Sequence, residues 1–418
     1  MRQAIPNGPG VPWDAGRRRA QGAATVLMAV ALALSPAYGL WRPHAGPIPL
    51  TLLEIALLVA IAAGVYAFWR ELPWRNPFLL PGLLLLLAAT IDTAISPDRR
   101  GALGIWKAYF VEPAAAGLVI AAIAARRDRA RLLLAGLGVA GTVVALLNIV
   151  NSLGAVATHS FNVVTPPVVI YNTNNAVPLF LEPLVAFGLA LLFFGDDRRD
   201  RLTAGIFCVI AAAAIFLSYS RTGWGTLALL VLFVAAFTRW RWWVLAGVAA
   251  VGGGLFAASG SVRHRILVEF NPDSKVNTLD LRRSLWQSTI NMLEHHPLFG
   301  GGLAGFQKSL GPYEVQDYGE QLIYPHNVFL NFWSETGLLG VAAIVWLSVQ
   351  IVRVAILGLR AADTAWARAI AIGALGMVLA FFVHGMTDVP YFKNDQAVVF
   401  WALIGIQLGT LRGARARR

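Results

Sequence analysis

The chain has 418 residues, of which 57% are hydrophobic and 13% are charged, and its formal net charge is +12. Because soluble globular proteins carry about 25% charged residues, this composition excludes a soluble enzyme and indicates a polytopic membrane protein. The arginines are distributed over many short loops, so orientation in a membrane explains the positive charge better than nucleic-acid binding does. The single cysteine, Cys208, lies in an apolar run and cannot form an intrachain disulfide.

Twelve apolar segments are each long enough, at about 20 residues, to cross the hydrocarbon layer of a membrane as a helix. They lie at residues 22–40, 49–69, 77–95, 102–125, 131–152, 175–194, 202–219, 222–238, 242–260, 326–352, 366–387 and 396–411. We therefore predict an all-α polytopic membrane protein with about 12 transmembrane helices. Residues 1–260 contain nine of them, residues 261–325 form a long loop, and residues 326–418 contain the last three.

The distribution of lysine and arginine predicts the orientation of these helices. Of the 34 such residues, 22 lie in segments on the same side as the N-terminus, six lie in the other short segments, and six lie in the loop 261–325. Cytoplasmic loops carry the excess of these residues, so we predict that both termini are cytoplasmic and that this loop faces outward. A second outward segment, 153–174, has no lysine or arginine and leads into the polar sequence YNTNN.

The outward loop contains one predicted helix, which begins near Asp280 and ends before Pro297. Arg282 and Trp286 lie one turn apart on this helix, and a guanidinium beside an indole at a membrane surface suits a lipid headgroup or a sugar. Three glycines, Gly300 to Gly302, follow the helix. Because no strand precedes them and no lysine follows, a flexible turn is favoured over a phosphate cradle.

Two ionisable residues lie at the predicted outer ends of membrane helices. Arg221, in FLSYSRTGWG, is either a snorkelling side chain that contacts lipid phosphate or a fixed cation for an anionic substrate group. Arginine suits the second role because its planar guanidinium binds two phosphate oxygens and stays charged. His326, beside Asn327 at the start of a long apolar helix, is either an interfacial residue or a proton acceptor whose neutral form the helix N-terminus favours.

Several ionisable residues lie inside the apolar segments, where such residues are candidates for function. They are Glu54, Asp92, Glu112, Glu182, Glu335 and His384. Because they are spread over six helices, we interpret them as separate pairings and rim groups, with Lys107 and Asp92 as one pair. Asp388, in HGMTDVPYF after the eleventh segment, is a better candidate for a functional site. His295 and His296 are adjacent and lack a nearby carboxylate pattern, so no metal site is predicted.

Taken together, these motifs resemble those of the O-antigen ligase and polymerase superfamily. The similar parts are Arg282 with Trp286, the sequences HPLFGGGLAGF, PHNVFLNFWSETGLLG and SYSRTGW, and the aspartate after the eleventh segment. They lie within residues 215–395, and the rest of the chain agrees only in hydropathy. The resemblance implies a GT-C-like arrangement of transmembrane helices in the bacterial inner membrane, with a periplasmic loop of surface helices.

The resemblance also implies a reaction and roles for individual residues. Members of the superfamily transfer glycan from undecaprenyl diphosphate to an acceptor hydroxyl, without a nucleotide, a metal or another cofactor. In such a reaction Arg221, together with Arg282 or Arg283, would hold the diphosphate and stabilise its charge as it leaves. His326 would accept the proton of the acceptor hydroxyl. An inverting displacement by the acceptor oxygen is the mechanism that we expect.

Four further residues are candidates for substrate binding: Arg283, Trp286, Asn327 and Asp388. For Asp388 three roles remain open, because it is placed to orient His326, to bind acceptor sugar or to cap a helix. The expected partners are the lipid-linked glycan donor, a lipid A–core acceptor and the bilayer itself.

Within the superfamily an O-antigen ligase fits best. A chain polymerase typically carries two outward loops with an arginine and a glycine eleven positions later, and the outward arginines here do not show that spacing. A protein-glycosylating ligase usually has an added C-terminal segment, whereas this chain ends shortly after its last predicted helix. A transporter is the alternative from another class. Transporters usually contain paired repeats and broken helices at matching positions, and the sequence shows neither.

Overall fold

The computed structural model describes residues 12–39, 44–45, 48–270, 278–318 and 322–416. The α-helices of these ranges are α1 (Pro12–Ala33), α2 (Leu52–Phe68), α3 (Leu79–Ile95), α4 (Arg99–Ile105), α5 (Glu112–Ile123), α6 (Arg127–Ala157), α7 (Ala176–Phe194), α8 (Arg198–Leu217), α9 (Arg221–Ala236), α10 (Arg241–Ala258), α11 (Gly260–Leu267), α12 (Thr278–His295), α13 (Phe306–Leu310), α14 (Val328–Arg360), α15 (Ala365–Gly385) and α16 (Asn394–Arg415). A π-helical segment, Trp106–Val111, joins α4 to α5. Two-residue strands, β1 (His44–Ala45) and β2 (Ile48–Pro49), pair antiparallel.

The described part of the chain confirms the all-α polytopic class. Nine of its helical spans are long and apolar enough to cross a membrane: α2, α4 with α5, α6, α7, α8, α10, α14, α15 and α16. The helices α3 and α9 are apolar but shorter. Each predicted segment overlaps one of these spans or α1, which has three arginines in its first half. The count of about 12 crossings and the GT-C-like arrangement stay predictions.

Loops that were predicted to be cytoplasmic meet at one end of the helix bundle. Arg127, at the start of α6, forms an ion pair with Asp196, which precedes α8. Arg131 binds Asp200 at 2.6 Å on the next turn of the same two helices. The guanidinium of Arg127 also lies 5.2 Å from the ring centre of Trp366, at the start of α15. Carboxylates therefore neutralise part of the basic charge at this end.

Loops that were predicted to face outward meet at the opposite ends of the same helices. Asn174, before α7, donates its side-chain amide to the Ser218 carbonyl oxygen at 2.8 Å. The hydroxyl of Thr222 in α9 lies 2.8 Å from that of Thr387, which follows α15. Asn327, before α14, donates to the Met386 carbonyl oxygen at 3.2 Å. The segments before α7, α9 and α14 and after α15 thus form one polar layer, which contains the candidate site.

Small residues bring the central helices together. A Cβ added to Gly405 in α16 would lie 2.5 Å from the Gly117 carbonyl oxygen in α5, and one added to Gly373 in α15 would lie 2.8 Å from the Phe187 ring in α7. Close helix approach through small residues stabilises membrane proteins by van der Waals packing. The opposite case is α10, which has no buried residue and contacts mainly α9 and α11.

Two pairs form among the intramembrane charges, Glu54 with Lys107 and Glu182 with His384, whereas both carboxylate oxygens of Glu112 have no hydrogen-bond partner in the described part of the chain. The predicted pair of Lys107 with Asp92 is wrong. Lys107 binds the carboxylate of Glu54 at 2.8 Å and not that of Asp92. Glu54 lies in the first turn of α2, where it also accepts the backbone N–H of Thr51 in a capping box. The sequence could not distinguish the two carboxylates because both lie near outer helix ends. His384 and Glu182 form a second buried pair at 2.9 Å, between α15 and α7.

The glycine-rich turn after α12 is packed against a break in α14. Gly337 interrupts that helix with a φ of 61°, and the freed N–H of Leu338 donates to the Leu298 carbonyl oxygen at 3.0 Å. Gly301 donates its N–H to the Ser334 carbonyl oxygen at 2.8 Å. The carboxylate of Glu335 accepts the Ala304 N–H at 2.6 Å and the Phe306 N–H at 3.4 Å.

These contacts contradict the expected flexible turn. Gly300 is buried and has a φ of 61°, and a Cβ added there would lie 2.3 Å from the Trp333 carbonyl oxygen. The turn does not form a phosphate cradle either, because the N–H of Gly301 binds α14 and those of Gly300 and Gly302 bind carbonyl oxygens just before the turn. Sequence spacing could not show this, since the partner groups lie more than 30 residues further along the chain.

Substitution of Gly337 by alanine should weaken the attachment of this turn. The positive φ costs a residue with a Cβ roughly 1–3 kcal/mol of the free energy of unfolding, and the added Cβ would lie 2.3 Å from the Leu298 carbonyl oxygen. We expect the melting temperature of the purified protein in detergent to fall by several degrees. Gly358→Ala is the matched control, because this glycine lies in the regular part of α14 with only ordinary contact to Ala371. Equal melting temperatures for the two variants would contradict the predicted role of the kink.

Candidate active site

The helix α12 lies across the outer end of the bundle and confirms the helix predicted in the loop. Its buried side includes Leu285, Met292 and Leu293, which pack with Phe306 and Leu310 in a small core. Parts of α14 cover this core. Because the core is small, hydrogen bonds to neighbouring segments also fix the helix. One of these hydrogen bonds connects α12 to the segment that carries His326, the candidate base.

Trp286 on α12 holds the segment that carries His326. Its indole N–H donates to the Pro325 carbonyl oxygen at 2.9 Å. His326 follows with a φ of 50°, a left-handed conformation that is uncommon for a residue with a side chain. The ring of Tyr324 packs edge-on against the imidazole, with 4.8 Å between ring centres. The predicted Trp286 is therefore engaged in positioning the histidine segment through its indole N–H.

Asn327 is the N-cap of α14. Its side-chain oxygen accepts the N–H groups of Phe329 at 3.0 Å and Leu330 at 3.1 Å, and its amide donates to the Met386 carbonyl oxygen. N-cap contacts of this kind satisfy backbone donors that have no partner within the helix. Both polar groups of Asn327 are thus used within the protein, and its structural role is to start α14 directly after His326.

Asp388 faces His326 from the segment after α15. The imidazole Nδ1 lies 3.4 Å from the nearer carboxylate oxygen, and the other oxygen accepts the side-chain amide of Asn175 at 3.0 Å. The Asp388 side chain is 4% exposed, whereas that of His326 is 27% exposed. The carboxylate is therefore enclosed behind the imidazole. Of the three open roles for Asp388, the geometry favours orientation of His326, with Asn175 of YNTNN behind it.

The charge of Asp388 is stable at physiological pH. Burial, the largest single contribution, raises the pKa of this carboxyl, whereas the neighbouring His326, followed by His384 and Arg282, lowers it. The net result is a pKa well below the usual range. A carboxylate that stays ionised can hold one tautomer of an imidazole, because it accepts only from a protonated nitrogen. Nδ1 is the nitrogen that lies near this carboxylate, at 3.4 Å, and it makes no hydrogen bond in the described part of the chain.

Arg221 is the first residue of α9 and is held by residues of α11 and α12. Its guanidinium donates to the Arg265 carbonyl oxygen at 3.1 Å and to the Thr278 hydroxyl at 2.9 Å, and it forms an ion pair with Glu269. Glu269 also accepts the backbone N–H groups of Thr278 and Leu279 at the first turn of α12. One carboxylate thus connects Arg221 to the start of α12, where the helix dipole favours a negative charge.

Two further guanidiniums lie within electrostatic range of Arg221. The Arg265 side chain is buried, donates to the Tyr219 carbonyl oxygen at 3.2 Å, and has no hydrogen-bond partner at Nη1 among the described residues. Burial lowers the pKa of Arg265, Glu269 raises it and Arg282 lowers it. Arg282 is half-buried and makes no hydrogen bond or ion pair in the described part of the chain. Arg221, Arg265 and Arg282 are therefore within electrostatic range of one another, and Glu269 pairs with Arg221.

The neighbouring Arg283 occupies a different environment. Its side chain is 67% exposed and pairs with Asp280 one turn earlier on α12. Arg282 instead faces the cluster and is within electrostatic range of Asp388. The structure thus brings together Arg221, Arg282, His326 and Asp388, and leaves Arg283 outside.

Several residues of the site have no sequence signal that would have identified them in advance. Arg265 and Glu269 lie on the short α11 and the turn after it, outside the quoted motifs. Tyr324 precedes the PHN motif by only one residue, and burial followed by Asp388 raises the pKa of its hydroxyl. Among the residues that the structure describes, no group of three or more histidine, cysteine, aspartate or glutamate side chains could hold a metal ion.

Replacing Asp388 by asparagine should reduce stability in a pH-dependent way. A carboxyl whose pKa is lower in the folded protein than the unfolded value of about 3.9 stabilises the fold above that value, and this contribution is lost as the pH falls through the folded pKa. We expect Asp388→Asn to unfold more easily at neutral pH, by roughly 1–3 kcal/mol, and the deficit to shrink below about pH 4. Melting curves in detergent across this range measure it.

The matched control is Asp363→Asn, because Asp363 is exposed in the turn between α14 and α15. This variant should match the unmodified protein at each pH. A deficit for Asp388→Asn that stays constant down to pH 3 would contradict the assigned electrostatic role.

The comparisons with known proteins agree with this geometry. A family model described as O-antigen ligase matches residues 206–345, which extend from α8 to the first half of α14. This segment contains Arg221, Arg265, Arg282 and His326, whereas Asp388 lies beyond it. Comparison with curated proteins gives no match. Over the segment that carries its cluster of guanidiniums and its histidine, the chain is similar to the O-antigen ligase family, as its motifs predict.

Proposed function

We propose that the protein is an O-antigen ligase. It transfers an undecaprenyl-diphosphate-linked polysaccharide to a sugar hydroxyl of lipid A–core oligosaccharide at the periplasmic face of the inner membrane. The observation that carries the proposal is the pairing of an excess of guanidiniums with a histidine–aspartate pair in one outward-facing layer. A lipid-diphosphate donor needs the first of these features, and a hydroxyl acceptor needs the second.

The donor side is the cluster of Arg221, Arg265 and Arg282. The three guanidiniums lie within electrostatic range of one another, and Glu269 pairs with Arg221; this concentration of positive charge suits a ligand whose two phosphates are both ionised. Guanidiniums that are already fixed where negative charge develops lower the barrier without reorganisation. Arg221 and Arg265 are fixed by hydrogen bonds to backbone carbonyls. Arg282 makes no hydrogen bond or ion pair to the residues that the structure describes, and it is our choice over Arg283 for the second diphosphate contact.

The acceptor side is His326 with Asp388. Because Nδ1 faces the carboxylate, Nε2 is the nitrogen that takes the proton of the acceptor hydroxyl, as in catalytic histidine–aspartate pairs. The acceptor oxygen then forms a bond to the anomeric carbon while the bond from that carbon to the diphosphate oxygen breaks. The electron pair leaves with the diphosphate, whose charge the arginines stabilise. A single displacement of this kind inverts the anomeric configuration and needs no metal.

Related activities use the same chemistry with another acceptor. An O-antigen polymerase would use a second lipid-linked glycan, and a protein O-oligosaccharyltransferase would use a hydroxyl of a protein. The absent arginine–glycine spacing disfavours the polymerase. A lipid or glycan transporter is the remaining alternative, and ion-driven uptake into sealed vesicles that contain no acceptor would support it.

Arg282→Ala and Arg283→Ala should separate the two neighbouring arginines. Loss of one positioned cation at the leaving group costs on the order of 100- to 1,000-fold in kcat, so we expect this loss for Arg282→Ala. Arg283→Ala removes an exposed ion pair and should change the rate by no more than about twofold. The assay is transfer from lipid-linked glycan by purified protein. Equal losses in the two variants would mean that the assigned register is wrong.

Transfer by the purified protein tests the function itself. With undecaprenyl-diphosphate-linked polysaccharide and lipid A–core, we expect a core-linked product of inverted configuration at an undiminished rate in excess EDTA. His326→Ala should lower that rate by roughly 100- to 10,000-fold. In the bacterium that encodes the protein, deletion should remove all O-antigen bands while polysaccharide accumulates on the lipid carrier. Core carrying a single repeat unit would instead indicate a polymerase, and retained configuration would exclude the proposed displacement.

A further inference from the structure

A buried glutamate–histidine pair lies one helical turn from Asp388. Both carboxylate oxygens of Glu182 in α7 lie 2.9 Å from the Nδ1 of His384 in α15, and the two side chains are 1% and 0% exposed. Ionisable groups are costly inside a membrane, and well-packed apolar side chains of similar size would hold two helices together as well. The pair at this depth therefore indicates a specific role, which the proposed reaction does not use.

The backbone connects this pair to Asp388. Asp388 donates its N–H to the His384 carbonyl oxygen at 3.0 Å, which is the contact that continues an α-helix by one turn. The two residues are also within electrostatic range of each other. Because they share this turn, a rotation of the end of α15 that moved the His384 ring would move the Asp388 carboxylate with it.

Helix α7 contacts the end of α15 at two levels. Asn175, directly before α7, donates its side-chain amide to the Asp388 carboxylate at 3.0 Å. Glu182 follows seven residues later, which is two turns along and on the same face of the helix. One contact thus acts on the carboxylate itself, and the other acts on the turn that carries it. Two separated contacts fix the rotation of the α15 end as well as its distance from α7, which one contact alone does not.

We propose that Glu182 is a positioning residue for the histidine–aspartate pair of the site: through His384 it fixes the end of α15 and thereby places Asp388 beside His326. The inference rests on the proposed function, to which it adds a residue that is too deeply buried to contact a substrate. Positioning matters for a general base, because a misplacement of about 1 Å lowers a rate by on the order of 100-fold.

Glu182→Leu tests this role, with Glu182→Gln and Gln407→Leu as matched controls. Leucine removes both oxygens that face His384, whereas glutamine retains one of them at nearly the same volume. Gln407 in α16 donates to the Ile351 carbonyl oxygen in α14 at 3.0 Å, toward the opposite end of the bundle. Gln407→Leu therefore removes a buried polar contact between two membrane helices without affecting the site.

The measurements are glycan transfer by the purified full-length variants and their melting temperatures in detergent. Glu182→Leu should lower kcat by on the order of 10- to 100-fold and leave the KM for the donor little changed, because the guanidinium cluster is not altered. Glu182→Gln should retain most of kcat, and Gln407→Leu should retain kcat while its melting temperature falls. Equal losses of kcat in the two leucine variants, no rescue by glutamine, or a change in KM alone would overturn the positioning role.

A paired variant keeps the test decisive if Glu182→Leu does not fold. Replacement of both partners, Glu182→Leu with His384→Leu, leaves no polar group unpaired and is therefore expected to be tolerated better. It should show the same loss of kcat, because the directional contact between α7 and α15 is absent. Unchanged kcat in this folded variant would contradict the inference.

Combination with Asp388→Asn shows whether Glu182 acts through Asp388. Substitutions that act through one another are not additive, so Glu182→Leu should add little to the loss of kcat and to the fall in melting temperature that Asp388→Asn causes alone. Additive effects in either measurement would overturn the inference even if transfer is intact. Non-additive melting temperatures without any glycan transfer would leave the positioning contact standing and contradict the proposed reaction, because melting reports the fold alone.

Discussion

The attachment of the outward loop to the break in α14 is the constraint on which the rest of the site depends. The described part of this loop has only a small core of its own around Leu285 and Phe306, so membrane helices must hold it. Glu335 does so from inside α14 by accepting two N–H groups of the turn that follows α12. The break at Gly337 frees a backbone donor for the same turn. Without these contacts α12, and with it Arg282 and Trp286, would have no fixed position.

A second set of contacts fixes the backbone on both sides of His326, the candidate base. Trp286 binds the backbone immediately before His326, and Asn327 starts α14 immediately after it. The histidine is therefore fixed on both sides in an unfavourable left-handed conformation. Asp388 then approaches from a different helix end and lies 3.4 Å from the imidazole Nδ1. Residues of the ligase-like motifs thus serve mainly to hold a few reactive groups in place.

The charged groups of the polar layer form two clusters, one around Arg221 and one around His326. Around Arg221, guanidiniums outnumber carboxylates and some of their donors have no partner in the described chain. Around His326, a buried carboxylate is held ionised beside a partly exposed imidazole.

The sequence by itself determined the membrane class, the approximate helix positions and the loop helix, because apolar length and helix-ending residues are local properties. It also identified Arg221, Arg282, His326 and Asp388 as candidates, since charged residues at outer helix ends are conspicuous in an apolar chain. Only the tertiary structure decided which of them meet. It placed Arg282 and not Arg283 in the cluster, added Arg265 and Glu269, paired Lys107 with Glu54, and showed a packed glycine turn. Each of these outcomes depends on how helices that are far apart in the chain pack against one another. The local sequence of one helix does not show how that helix is rotated toward its partners.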